Sequence, residues 1–111
     1  FFKGVEGVQF QTEPNADFYS NFWLTAILIN PELTGGIGRE QVRLALDAEN
    51  IESRPLWKPM HMQPVYEGAK FFGSGVCEQL FEQGLCLPSG SNLTEEEFDR
   101  IFSTLTQIFK R

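Results

Sequence analysis

The chain has 111 residues, of which 41% are apolar and 14% aromatic, eleven of them Phe; fifteen acidic against nine basic residues give a net charge of −6. At this length folding hides roughly 65% of the surface that the unfolded chain exposes, enough for one modest core and too little for two domains. The composition is neither disordered nor fibrous. No basic stripe is present to meet a phosphate backbone, so general nucleic-acid binding is excluded, and no apolar run approaches the roughly 20 residues that cross a bilayer.

The chain opens on Phe1-Phe2-Lys3 without an initiator Met, which reads as a fragment or processed piece. Val5 to Gln11 alternates weakly and suits a short strand, and Thr12 to Asp17, with Pro14-Asn15, is a loop. Phe22 to Ile29 is the clearest strand: apolar on both alternating faces, β-branched at Thr25, Ile27 and Ile29, and closed by Asn30-Pro31. A strand of that kind is expected at the centre of a sheet, covered on both sides.

Leu33 to Gly38 is a glycine-rich turn into a helix over Arg39 to Glu49, with Val42, Leu44, Ala45 and Leu46 as its buried stripe. Ile51 to Leu56 is extended, because Pro55 biases Arg54 away from helical dihedrals. Pro55, Pro59 and Pro64 forbid a regular helix or a central strand from Arg54 to Pro64. Ser74 is placed to cap a helix carrying Val76, Cys77, Leu80 and Phe81, with Gly84 as its stop. In the last helix Thr94 and Glu97 form a capping box, and Leu93 can staple onto Phe98. Phe98, Ile101, Phe102, Leu105, Ile108 and Phe109 follow at helical spacing, with Lys110 and Arg111 near the negative end of the dipole. The expected fold is therefore α+β, one small sheet covered by about three helices.

The chemistry-bearing residues concentrate in Arg54-Pro-Leu-Trp57-Lys58-Pro-Met-His61, which holds a guanidinium, an indole, an ammonium and the only imidazole within eight residues. Stiffened by proline, such a strip suits an anionic ligand with a flat ring or a sugar, since Arg forks onto phosphate, Lys adds a point charge and Trp offers a stacking face. The same composition also suits a proline-rich loop in which Trp57 plugs the core while Arg54 and Lys58 are solvated. His61, Cys77 and Cys86 match no zinc spacing, so no metal is expected. No nucleophile elbow is present, and neither Cys has an adjacent His. The two cysteines lie in apolar sequence, and in the absence of an opening export signal they read as reduced thiols of a cytoplasmic protein. Gly35 to Gly38 and Ser89 to Asn92 precede helices and could cradle phosphate, but they carry no full dinucleotide or P-loop pattern and read as turns and caps. Glu95-Glu96-Glu97 complements a helix start and needs no partner.

The order of these blocks resembles the carboxy-terminal region of the DegT/DnrJ/EryC1/StrS aminotransferases. The resemblance is carried by Ser20-Asn21-Phe22-Trp23-Leu24-Thr25, by Glu49 to His61, by Tyr66 to Phe72 and by Leu80 to Thr94, and it covers nearly the whole chain from about Val8. Members are pyridoxal phosphate enzymes of fold type I that move an amino group from glutamate onto a nucleotide-linked keto-sugar. The nearest likeness is to members acting on UDP-linked 4-keto-sugars in bacterial surface-glycan synthesis, lipopolysaccharide included. The resemblance implies that Arg54, Trp57, Lys58 and His61 approach the nucleotide-sugar substrate. It also implies that the Schiff-base lysine and the cofactor belong to an amino-terminal domain missing here, because Lys3, Lys58, Lys70 and Lys110 do not stand in that motif. The whole protein is then expected to be a homodimer, and the isolated small domain to be inactive, without pyridoxal phosphate. The rival expectation is a stand-alone, non-catalytic binding or interaction module descended from that domain.

Overall fold

The computed structural model describes residues 1–110, so the expected role of Arg111 lies outside the described residues. Strands β1 (Val8–Phe10), β2 (Thr25–Ile29), β3 (Arg54–Pro55) and β4 (Gly84–Leu87) form one antiparallel sheet in the order β1-β2-β4-β3. Helices α1 (Arg39–Ala48), α2 (Val76–Gln83) and α3 (Glu95–Ile108) complete an α+β fold, as the sequence led us to expect. No helix of the described residues is long and apolar enough to cross a membrane.

The register Phe10↔Ile27↔Leu85↔Pro55 places Ile27 and Leu85 on one face, and two-residue alternation adds Ile29 and Leu87. This face meets Val42 and Leu46 of α1, Ile101 and Leu105 of α3, and Phe2 and Ile51 from the connecting chain, which together make the core. Each fully hidden Leu or Ile here contributes about 1.5–3 kcal/mol. Ala26, Leu28, Gly84 and Cys86 alternate onto the opposite face, where Gln79, Leu80 and Gln83 of α2 line a cleft with Leu28 and Gln9. β2 is thus central and apolar on both faces because each face has a helix layer to meet.

Several local expectations are corrected. β2 begins at Thr25 rather than Phe22, because the Ser20 hydroxyl accepts the Phe22 N–H and the Asn21 side chain accepts the Trp23 N–H. Such local side-chain turns compete with a ladder, and they leave Phe22 and Trp23 exposed. Ser74 does not cap α2; Gly75 does, in a left-handed conformation that suits glycine. Gly84 ends α2 by passing directly into an extended strand, so Gly84–Leu87, fully buried, is a central strand absent from the sequence reading. Leu44 is exposed, since the core-facing stripe of α1 narrows to Val42 and Leu46 with Ala45 half-buried. Cys77 is exposed rather than packed among apolar groups, whereas Cys86 is buried. The Thr94–Glu97 capping box forms as expected. Phe98 and Phe102 are partly exposed and lie outside the core; Phe102 stacks on Phe1 and on Phe98.

Candidate functional site

The segment singled out in the sequence leaves the sheet at its β3 edge. Arg54 and Pro55 pair with Cys86 and Leu85, and the Leu56 N–H reaches the Gly84 carbonyl at 3.2 Å. Pro59 is buried and anchors two successive 3-10 turns, at Met60–Met62 and at Pro64–Tyr66. Prolines that cannot donate are tolerated here because this is the sheet edge and then a turn. The Gln63 side chain donates to the Lys58 carbonyl at 3.3 Å, which ties the two halves of the segment together.

The four residues divide into two groups. Trp57 does not plug the core; it is 72% exposed. Lys58 is exposed too, and the Arg54 guanidinium lies at the surface, forked onto Glu52 with Nε 2.7 Å from Oε1. Arg54 and Glu52 line a groove of about 660 Å³ with Arg43, Asp47 and Ser53. Both arginines are already engaged, Arg54 with Glu52 and Arg43 with Glu40, so an incoming anion must compete with a carboxylate. The Ser53 hydroxyl is buried without a hydrogen-bond partner among the described residues. Arg54, Trp57 and Lys58 thus present a guanidinium, a ring face and an ammonium to solvent along one stiff strip.

His61 lies half-buried in a different setting. Its ring stacks on Phe71 with centroids 3.6 Å apart, and its Nε2 is 2.7 Å from Oε1 of Glu78 in the first turn of α2. The other Glu78 oxygen accepts from the Cys77 thiol at 3.1 Å. The thiol hydrogen bond, then the Glu78 backbone N–H and His61, hold the Glu78 carboxyl below its usual range. The same hydrogen bond pushes the Cys77 thiol up. Glu78 and Phe71 were not selected from the sequence, since no motif or periodicity links them to a histidine 17 positions away or 10 positions away across a proline-rich loop. Among the described residues, no hydrogen bond joins this cluster to Arg54.

The lysines bear on the cofactor. Lys3, Lys58, Lys70 and Lys110 are all exposed, and a lysine that condenses with a carbonyl cofactor needs an enclosed setting that lowers its proton affinity. None of the four lysines sits in such a setting, and no step is assigned to them through pyridoxal phosphate.

Comparison with known proteins agrees with the fold. The chain is 42% identical over 109 residues to EpsN of Bacillus subtilis, named as a pyridoxal phosphate-dependent aminotransferase, which covers 95% of the chain and 27% of EpsN. It is 36% identical over 87 residues to the GDP-perosamine synthase of Caulobacter vibrioides, covering 78% of the chain and 23% of that enzyme. Its fold superposes on the crystal structure of DesI, solved with its TDP-sugar product, with a TM-score of 0.82 at 23% identity, over 99% of this chain and 28% of DesI. The chain thus spans about a quarter of the length of the curated relatives it matches. The sequence profile of the DegT/DnrJ/EryC1/StrS aminotransferases matches residues 1–106, and the chain belongs to that family.

Proposed function

We propose that this chain is the carboxy-terminal small domain of a pyridoxal phosphate-dependent aminotransferase that moves an amino group from glutamate to a nucleotide-linked keto-sugar, a UDP-4-keto-sugar being the first substrate to try. The observation that carries the substrate side of this reading is the exposure of Trp57 beside Arg54 and Lys58 on a proline-stiffened edge of the sheet. An indole and two cations held on a strip that loses little freedom on binding match a sugar-diphosphate. The names of the relatives, a GDP-perosamine synthase and an enzyme with a TDP-sugar product, support the nucleotide-sugar class and leave the base to experiment.

A second observation bears on the missing domain. Phe18, Tyr19, Phe22, Trp23 and Phe72 are each more than half exposed, more aromatic surface than a finished monomer of this size usually leaves in water. We read this surface as covered by the amino-terminal, cofactor-holding domain of a cytoplasmic homodimer. The carrier chemistry belongs to the cofactor. In this reading the present residues bind and orient the sugar nucleotide.

The test is to assay the longer protein containing this chain with pyridoxal phosphate, glutamate and UDP-, GDP- and TDP-linked keto-sugars in turn. The expected result is an amino-sugar and 2-oxoglutarate in equal amounts with one nucleotide class, and a raised KM for the nucleotide-sugar in Arg54→Ala. Failure with all three classes overturns the reading. Tight nucleotide-sugar binding by the 111-residue chain alone, with no transfer by the longer protein, would favour the stand-alone binding module instead.

A further inference from the structure

We propose that His61, Cys77 and Glu78 form a three-ligand site for a borderline divalent cation of the zinc class, with a fourth position open to water. One nitrogen, one sulfur and one carboxylate oxygen from these residues all lie within 4.8 Å of one another. Zinc bonds of about 2.0–2.3 Å put the donors of a tetrahedral site roughly 3.3–3.8 Å apart. His61 Nε2 to Glu78 Oε1 is 2.7 Å and Cys77 Sγ to Glu78 Oε2 is 3.1 Å. The two short contacts fall on different oxygens of one carboxylate, so with a single oxygen as ligand the close donors spread and the widest pair, within 4.8 Å, closes by roughly 1 Å, a movement that rotation of the exposed Cys77 and half-buried Glu78 side chains supplies.

The surroundings hold the donors in place. His61 sits in a 3-10 turn whose leading Pro59 is buried, and Phe71 stacks on its ring, so the imidazole is oriented before any ion arrives. Cys77 and Glu78 come from the first turn of α2, whose backbone N–H groups favour the Glu78 carboxylate, while the Cys77 thiol proton is displaced as the ion binds. The His61 and Glu78 side chains are 20% and 28% exposed, which leaves room for a water on the solvent side. An N, S, O donor set selects zinc or cobalt over magnesium and calcium, which take oxygen. The sequence spacing excluded a metal only because it considered His61 with the two cysteines; the structure supplies Glu78 as the third donor and sets Cys86 apart in the sheet.

The site does not depend on the aminotransferase reading, and its test needs no substrate. Co²⁺ is titrated into the reduced chain, followed by absorption, and then displaced with Zn²⁺. The expected result is one equivalent of Co²⁺ with tetrahedral bands and a sulfur-to-cobalt charge-transfer band, bleached by Zn²⁺. The charge-transfer band should vanish in Cys77→Ser and persist in Cys86→Ser. His61→Gln and Glu78→Gln should each weaken Zn²⁺ by more than the roughly 10- to 100-fold typical of losing an outer partner. Circular dichroism confirms that each variant is folded, and either of the last two serves if the other does not fold. Absence of the charge-transfer band, or a band that survives both His61→Gln and Glu78→Gln at unchanged affinity, overturns the proposal and leaves a hydrogen-bonded cluster or a simple thiol adduct.

Discussion

The Ser89 hydroxyl accepts the Thr25 N–H at 2.7 Å, from 64 positions away in sequence, and donates to the Leu87 carbonyl at 2.8 Å. It thereby clasps the start of β2 to the end of β4, where the ladder stops at Thr25↔Leu87. Removing it leaves a part-buried N–H without its acceptor. Ser89→Ala should lower the stability of the chain by about 1–2 kcal/mol, read from urea unfolding. An unchanged midpoint would mean that water replaces the hydroxyl at no cost.

The exposure of Trp57 separates binding from folding. Trp57→Ala should change stability by no more than about 0.5 kcal/mol, because little is buried there. Ile27→Ala, in the fully buried centre of β2, should cost about 2–5 kcal/mol. Both are measured by the same denaturation. A large loss for Trp57→Ala would show that the indole packs in solution, as a core-plugging loop requires.

The two thiols should label at very different rates. Cys77 is exposed and should react with a disulfide reagent in the native chain, whereas Cys86 should react only on unfolding. Its hydrogen bond to Glu78 raises the Cys77 thiol, so at neutral pH its thiolate fraction is small and labelling is slow for an exposed cysteine. Glu78→Gln removes that carboxylate and should speed the Cys77 reaction. Slower labelling in this variant would contradict the hydrogen bond.

Acid should weaken the fold through identifiable carboxylates. Glu97 is held below its usual range by the Thr94 backbone N–H and then the Thr94 hydroxyl, Glu40 by the Arg43 hydrogen bond, and Glu13 by its own and the Ser20 backbone N–H. The unfolded chain protonates these groups at higher pH than the folded chain does. Their contribution is complete above the ordinary carboxylate range and is lost as pH falls through the lowered folded values. Urea midpoints measured downward from neutral pH should fall over that window, with a shallower fall in Glu97→Gln. Equal slopes in the two proteins would remove Glu97 from the account.

The legibility of each element in the sequence tracks the range of the forces that make it. α3 is readable because its capping box and apolar spacing are local, with partners three or four positions apart. The centre of β2 is readable because Ile27 and Ile29 alternate with other apolar residues. β4 is not: Leu85-Cys86-Leu87 is too short to show a period, and what makes it a strand is pairing with β2 on one side and Arg54-Pro55 on the other. Gly84 reads as a helix stop and acts as one, but it is also required because a Cβ there would collide with the Leu56 side chain and the Leu80 carbonyl, a packing fact invisible in one dimension. In the site, the residue types of Arg54 to His61 are visible in the sequence. Their division into a solvent-facing strip and a His61–Glu78–Cys77 cluster depends on where α2 lands, which only tertiary structure decides.

The placement of β4 between β2 and β3 also sets an order of events during synthesis. Thr25 waits for Leu87 and Arg54 waits for Cys86 before either can complete its ladder, so the centre of the sheet closes only when the last quarter of the chain has emerged. Pairings of such long separation make folding slow relative to chains built from neighbouring hairpins. Until then Ile27 and Ile29, among the most deeply buried residues of the finished fold, stand in a strand paired with β1 alone and open on its β4 side to chaperones or to aggregation. The 111-residue chain cut before Gly84 should accordingly be protease-sensitive from Val8 to Pro55, and the same chain carried through Ile108 protected.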